Sequence, residues 1–143
     1  MFVRDLLTVK GREVATISKE RSVGDALAVL RDRGIGAVVV TGLEGPLAGI
    51  LSERDVVRAL VEHGADTLEL SVADLMSATV TTCTEETSLN DLMSTMTDQH
   101  IRHVPVVDAG RLVGLVSIGD VVKARVDELE HVRRELLDYV NAR

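Results

Sequence analysis

Apolar positions along this chain switch between two periods, and each switch predicts an element boundary. Val14 to Ile17 is a short extended run, followed by a turn over Ser18 to Arg21. Ser22-Val23-Gly24-Asp25 then opens an amphipathic helix with Val23, Ala26, Leu27 and Leu30 on one face, ending near Gly34. Ile35 to Thr41 is continuously apolar, the pattern of a strand buried on both faces. Gly42 to Pro46 reads as a turn, and Leu47 to Leu51 as the returning strand of a hairpin. Ser52 starts a second helix through Val56, Val57, Leu60 and Val61, stopped by Gly64. The unit is β-α-β-β-α.

The unit then recurs from Val80 to Arg125. Gly49-Ile50-Leu51-Ser52-Glu53-Arg54-Asp55-Val56-Val57 returns as Gly114-Leu115-Val116-Ser117-Ile118-Gly119-Asp120-Val121-Val122. Asp5-Leu6-Leu7 likewise pairs with Asp74-Leu75-Met76. Two copies are too few for a solenoid, so the expected fold is α/β (α+β), with two pseudo-symmetric repeats packed as one module around a cleft. The expected boundaries are 5–64 for the first repeat, 65–73 for a connector, 74–125 for the second repeat and 126–143 for a C-terminal helix extension. Met1 to Lys10 is expected as a short helix or arm beside the second copy. In the extension, Val126, Leu129, Val132, Leu136 and Val140 form an apolar stripe with no further core in the sequence to receive it. That stripe predicts either a return onto its own domain or a self-association seam, hence a homodimer.

Composition narrows the chemistry. Aromatics make up 1% of the 143 residues, Phe2 and Tyr139, so the core is aliphatic and any bound ring is held by aliphatic side chains. A net charge of −7, with no basic stretch or aromatic platform, argues against nucleic acid as a partner. No apolar run approaches a membrane span, and the N-terminus lacks signal-peptide organisation. The single cysteine, Cys83, fits a reducing cytosol, so a cytoplasmic location is expected.

Five Ser-x-x-Asp pairs begin helices: Ser22/Asp25, Ser52/Asp55, Ser71/Asp74, Ser88/Asp91 and Ser117/Asp120. Helix capping explains three of them fully. Ser52/Asp55 and Ser117/Asp120 also follow a glycine and two apolar strand residues at matching points of the repeat. There the helix N-terminus suits a phosphate, and the Asp suits the hydroxyls of a ribose. On spacing alone capping still outweighs that role. Arg102 and His103 begin an apolar strand where the first copy has Gly36 and Ala37, which predicts one asymmetric anion site. A solvated charge cluster explains them about equally well. His100 and His103 are too few for a metal site. Cys83 reads as a small buried hydrophobe, and nothing argues for catalysis.

The repeat, the doubled G-h-h-S-x-x-D motif and the strand His103-Val104-Pro105-Val106-Val107-Asp108 resemble a tandem pair of cystathionine-β-synthase (CBS) domains, also called a Bateman module. The likeness covers about Asp5 to Arg125, and the stand-alone form is similar to small bacterial proteins made only of this module. The resemblance implies a non-catalytic, regulatory, energy-sensing role with an adenosine-containing ligand in the cleft: AMP foremost, or ADP, ATP, NAD(H) or S-adenosylmethionine. It implies Asp120 and Asp55 at the ribose, and Ser117 and Ser52 at ribose or phosphate. Ile101, Arg102 and His103, with Gly36 and Ala37 as weaker equivalents, would contact base and phosphate. Thr81 and Ala15 would line the adenine, and Met76 and Lys10 would close the pocket. Arg54, matched by Gly119, is placed to reach a phosphate at the other half. Arg102, His103, Ser117 and Asp120 are expected to form the stronger of two unequal sites. The other would be empty or hold the far end of a ligand such as NADH. A ligand-free dimeric scaffold is the alternative.

Overall fold

Local hydrogen bonds decide where the helices begin. In the computed structural model, which describes residues 1–43 and 45–142, every one of the five Ser-x-x-Asp pairs sits at a helix start. The hydroxyls of Ser22, Ser52, Ser88 and Ser117 accept from the N–H of Asp25, Asp55, Asp91 and Asp120 at 3.0, 3.4, 3.1 and 3.1 Å. The Ser71 N–H donates to the Asp74 carboxylate at 3.2 Å. These caps open α2 (Val23–Arg33), α3 (Glu53–His63), α4 (Val72–Leu75), α5 (Leu89–Gln99) and α6 (Ile118–Asn141). Helix α2 ends on Gly34 in the left-handed region (φ 62), and α5 ends at the matching position on His100 (φ 55). Glycine adopts that conformation freely, whereas His100 carries backbone strain.

The strands follow the predicted order. β1 (Thr16–Ser18) runs parallel to β2 (Ala37–Gly42), which pairs antiparallel with β3 (Gly45–Ser52). In the second repeat, β4 (His103–Asp108) and β5 (Arg111–Ser117) form the equivalent hairpin. The matching first strand shrinks there to one parallel bridge from Cys83 to Val106, with Cys83 N–H donating to Pro105 O at 3.0 Å. The expected hairpin turn over 42–46 includes Glu44, which lies outside the described residues. The expected connector is ordered: Gly64–Glu69 is a 3-10 helix, and the buried Thr67 hydroxyl donates to Ala59 O at 3.2 Å.

Each repeat completes its core with a helix from the other. α1 (Val3–Lys10) puts Val3, Leu6 and Leu7 into the second core, with Leu89, Leu92, Met96, Val104, Val106, Val116 and Val121. α4 returns the arrangement, with Val72 inside the first core and Leu75 and Met76 packed on it. Backbone bonds repeat the exchange: Val3 N–H to Thr87 O (2.9 Å) matches Val72 N–H to Arg21 O (2.8 Å). Close approach is made possible by glycine. A Cβ on Gly49 would lie 2.7 Å from Met76 Sδ and 2.7 Å from Ser77 O, and one on Gly114 would lie 2.7 Å from Leu7 Cδ2.

Helix α6 runs unbroken through residue 125 and leaves Val126, Leu129, Val132, Leu136 and Val140 exposed. It does not fold back. Val57, Leu60 and Val61 of α3 are exposed as well. Among the described residues, no helix is long and apolar enough to cross a membrane.

Candidate nucleotide site

Two of the cavities between the repeats are related by the same pseudo-symmetry that relates the repeats. One, of about 580 Å³, is lined by Leu115, Ser117 and Asp120 from the second repeat and by Ala15, Arg33, Gly34, Ile35, Gly36 and Ala37 from the first. Lys10, Glu13, Val14 and His103 complete it. The other, of about 660 Å³, is lined by Ile50, Ser52 and Asp55 from the first repeat and by Gln99, His100, Ile101, Arg102 and His103 from the second. Glu53, Arg54, Arg58 and Gly36 belong to it too. Both volumes are in the range of small-molecule sites. The building rule is crosswise: the helix cap of one repeat faces the strand start of the other.

This rule corrects one expected grouping. Arg102 does not share a cavity with Ser117 and Asp120; it lines the cavity of Ser52 and Asp55, beside Arg54. Within each repeat the strand start is fastened to its own helix cap, and the packing of the two repeats then turns it toward the other repeat's cap across a cavity. The Glu53 N–H donates to Gly36 O at 3.0 Å, and the Ile118 N–H donates to Arg102 O at 2.8 Å. Arg54 does reach the other repeat, donating to His100 O at 3.4 Å. Met76 lines neither cavity, since Gly49 draws it onto the first core. Thr81 stands one contact away, its hydroxyl bonded to Gln99 Oε1 at 2.6 Å. Arg33, Glu13, Gln99, Glu53 and Arg58 were not anticipated as lining residues. Arg33 and Gln99 could have been found by extending the predicted strand-start positions back along the repeat.

Both motif carboxylates use one oxygen for the helix cap. Asp120 Oδ2 accepts from Ser117 N–H at 2.9 Å and from Lys10 Nζ at 2.6 Å; Lys10 also donates to Leu115 O. Asp55 Oδ2 accepts from Ser52 N–H at 2.9 Å and from the Ser52 hydroxyl at 3.1 Å. Among the described residues neither Oδ1 has a partner, so capping leaves an acceptor over at each site. Burial pushes the Asp120 pKa up, but hydrogen bonds from Lys10 and Ser117 outweigh it and hold the carboxyl below its ordinary range.

His103 lines both cavities, and its ring lies 3.4 Å from where a Cβ on Gly36 would be. Burial, then the Lys10 charge, lowers its pKa against the opposing pull of Glu53 and Asp120, which favours the neutral ring at pH 7. Burial pushes the Cys83 thiol up to about 11, so it is no nucleophile at neutral pH. Among the described residues, no group of three or more His, Cys, Asp or Glu is placed to hold a metal.

A doubled α/β unit with exchanged helices and paired cavities between its halves defines a tandem two-repeat module. The sequence profile of the CBS domain matches residues 3–62 and again 72–127, and the chain belongs to the CBS-domain family. The CBS-domain protein ATU1752 of Agrobacterium tumefaciens is 48% identical, with a TM-score of 0.84 over 87% of this chain and 92% of its own. The CBS domain pair of protein MJ0100, solved in complex with 5′-methylthioadenosine and S-adenosyl-L-methionine, is 25% identical, with a TM-score of 0.77 over 87% of this chain and 98% of that one. The mitochondrial CBS domain-containing protein CBSX3 of Arabidopsis thaliana is 35% identical over 98% of this chain and 70% of its own length. CBS-domain pairs are generally regulatory modules.

Proposed function

We propose that this chain is a non-catalytic regulatory sensor that binds adenosine-containing ligands, AMP foremost and also ADP, ATP or NAD(H), between its repeats. The observation carrying this reading is the spare Oδ1 acceptor of Asp55 and of Asp120, each at a cavity of ligand size between the repeats. A carboxylate oxygen suits the two hydroxyls of a ribose. Ala15, Ile35, Gly36 and Ala37, and Ile101 across the pseudo-axis, offer an aliphatic bed for the base. The methylthioadenosine and S-adenosylmethionine bound by the MJ0100 pair support the ligand class. Isothermal titration of the purified chain with AMP, ATP and NADH is expected to give saturable heats. No heat at millimolar ligand overturns the reading.

The protein works as a homodimer in this proposal, with its seam on α3 and α6. Leu129 and Leu136 are each 61% exposed and Val61 is 85% exposed, apolar area that a second copy would cover. This stripe also favours the second reading, a ligand-free dimeric scaffold. Truncation after Arg125 is expected to shift the protein from dimer to monomer in sedimentation. A truncated protein that remains a dimer rejects the α6 seam.

A further inference from the structure

The two cavities differ in charge although their scaffolds match. In the Asp120 cavity every cation has an anion: Lys10 pairs with Asp120 at 2.6 Å, and Arg33 with Glu13 at 3.4 Å. The Asp55 cavity is lined by Arg54, Arg58 and Arg102 against Glu53 and Asp55. Among the described residues the guanidinium groups of Arg58 and Arg102 have no hydrogen bond or ion pair, and that of Arg54 has only its 3.4 Å bond to His100 O. Three guanidinium groups thus border one cavity in a chain whose net charge is −7.

Their origin is informative. Arg54 stands where the second repeat has Gly119, and Arg102 where the first has Gly36. These two Arg-for-Gly differences occur in different repeats, yet the crosswise construction brings both into the same cavity. Like charges that gather this way repel one another unless an anion joins them. Guanidinium forks match phosphate oxygens bidentately, and the capped N-terminus of α3, an 11-residue helix, adds its dipole at the same place.

We propose that the two sites take different ligand classes: the Asp55 cavity takes the phosphate chain of a nucleoside di- or triphosphate, and the Asp120 cavity takes an adenosyl group without phosphate. The proposal rests on the adenosine-sensor reading above and adds which chemistry each site selects. A triphosphate brings several negative charges to the three arginines. In the Asp120 cavity the same chain would meet Glu13 and Asp120, whose partner cations are already engaged. An uncharged or cationic adenosyl compound meets no such opposition there.

The test titrates the full chain with ATP, 5′-methylthioadenosine and inorganic tripolyphosphate, and repeats this with Arg58→Ala/Arg102→Ala. Both arginines are exposed, so the variant is expected to fold, which circular dichroism checks. Losing charge-assisted hydrogen bonds is expected to weaken ATP roughly 10- to 150-fold. The methylthioadenosine Kd stays within about threefold, and only the ATP affinity falls steeply with salt. Tripolyphosphate is expected to displace ATP but not methylthioadenosine. If the variant binds ATP as the wild type does, or if ATP and methylthioadenosine displace each other one for one, the partition is wrong while the sensor reading stands. If no adenosine compound binds but tripolyphosphate does, and the variant loses it, the sensor reading falls while the phosphate cavity stands.

Discussion

Gly49→Val will unfold the protein at a markedly lower temperature than the wild type. The added Cβ would sit 2.7 Å from the Ser77 carbonyl oxygen as well as 2.7 Å from Met76 Sδ. Met76 can turn its thioether away, but Ser77 cannot move cheaply. Its N–H donates to Ile50 O at 2.9 Å and its carbonyl accepts from Ile50 N–H at 3.1 Å, the two bonds that fasten the end of α4 to β3. Relieving the clash means breaking this bridge or lifting α4 from the first core. Overpacking of this kind costs about 3 kcal/mol, the upper end of the usual range. For a chain of this size that lowers Tm by roughly 6–12 °C. Gly114→Val is the internal comparison. The three atoms nearest its Cβ all belong to the flexible Leu7 side chain, the nearest at 2.7 Å, so its effect should be smaller. Thermal melts of both variants decide the matter; equal Tm values would mean that the Ser77 bridge does not hold the exchanged helix.

Asp120→Ala is expected to weaken 5′-methylthioadenosine about 10- to 150-fold, the worth of a charged hydrogen-bond acceptor. Asp55→Ala should affect it less, and should weaken ATP more than Asp120→Ala does. Equal losses for both ligands in both variants would refute two unequal sites. Each substitution also removes the carboxylate half of a capping box, leaving the serine cap in place, so Tm must be followed alongside to separate binding from stability. The pH profile gives a further control. Asp120 has a depressed pKa in the folded chain, so its contribution to stability is present above the unfolded value near ~3.9 and is lost as pH falls through the lower folded value. The wild type should therefore lose stability more steeply than Asp120→Ala below about pH 4, with little difference in slope from pH 5 to 8.

The local structure was written in the chain itself. Serine caps, the apolar run at Val38 to Val40 and the stops at Gly34 and Gly64 set the element ends, because each acts through neighbours within a turn or a strand. The repeat then announced a paired module, and the expected arm at Met1 to Lys10 does pack beside the second copy. The recurrence from Val80 predicts a first strand in the second repeat as well, and the structure reduces it to a single bridge. Among the described residues Cys83 alone bridges there to β4, since an apolar extended run marks a tendency to extend and not the number of partners found.

What the tertiary structure alone decided is which repeat completes which site. Arg102 and Asp120 belong to the same repeat, and nothing in their spacing says that one faces Asp55 and the other Lys10. That pairing depends on how two sheets and two exchanged helices dock, a contact between segments far apart in the chain. Only Gly49 and Gly114 hint at it in advance, as places where a backbone must come close to something. Periodicity and capping are properties of neighbours, and so the sequence by itself determined the pieces. The charge of each cavity is a property of their assembly, and it emerged only once the halves were packed together.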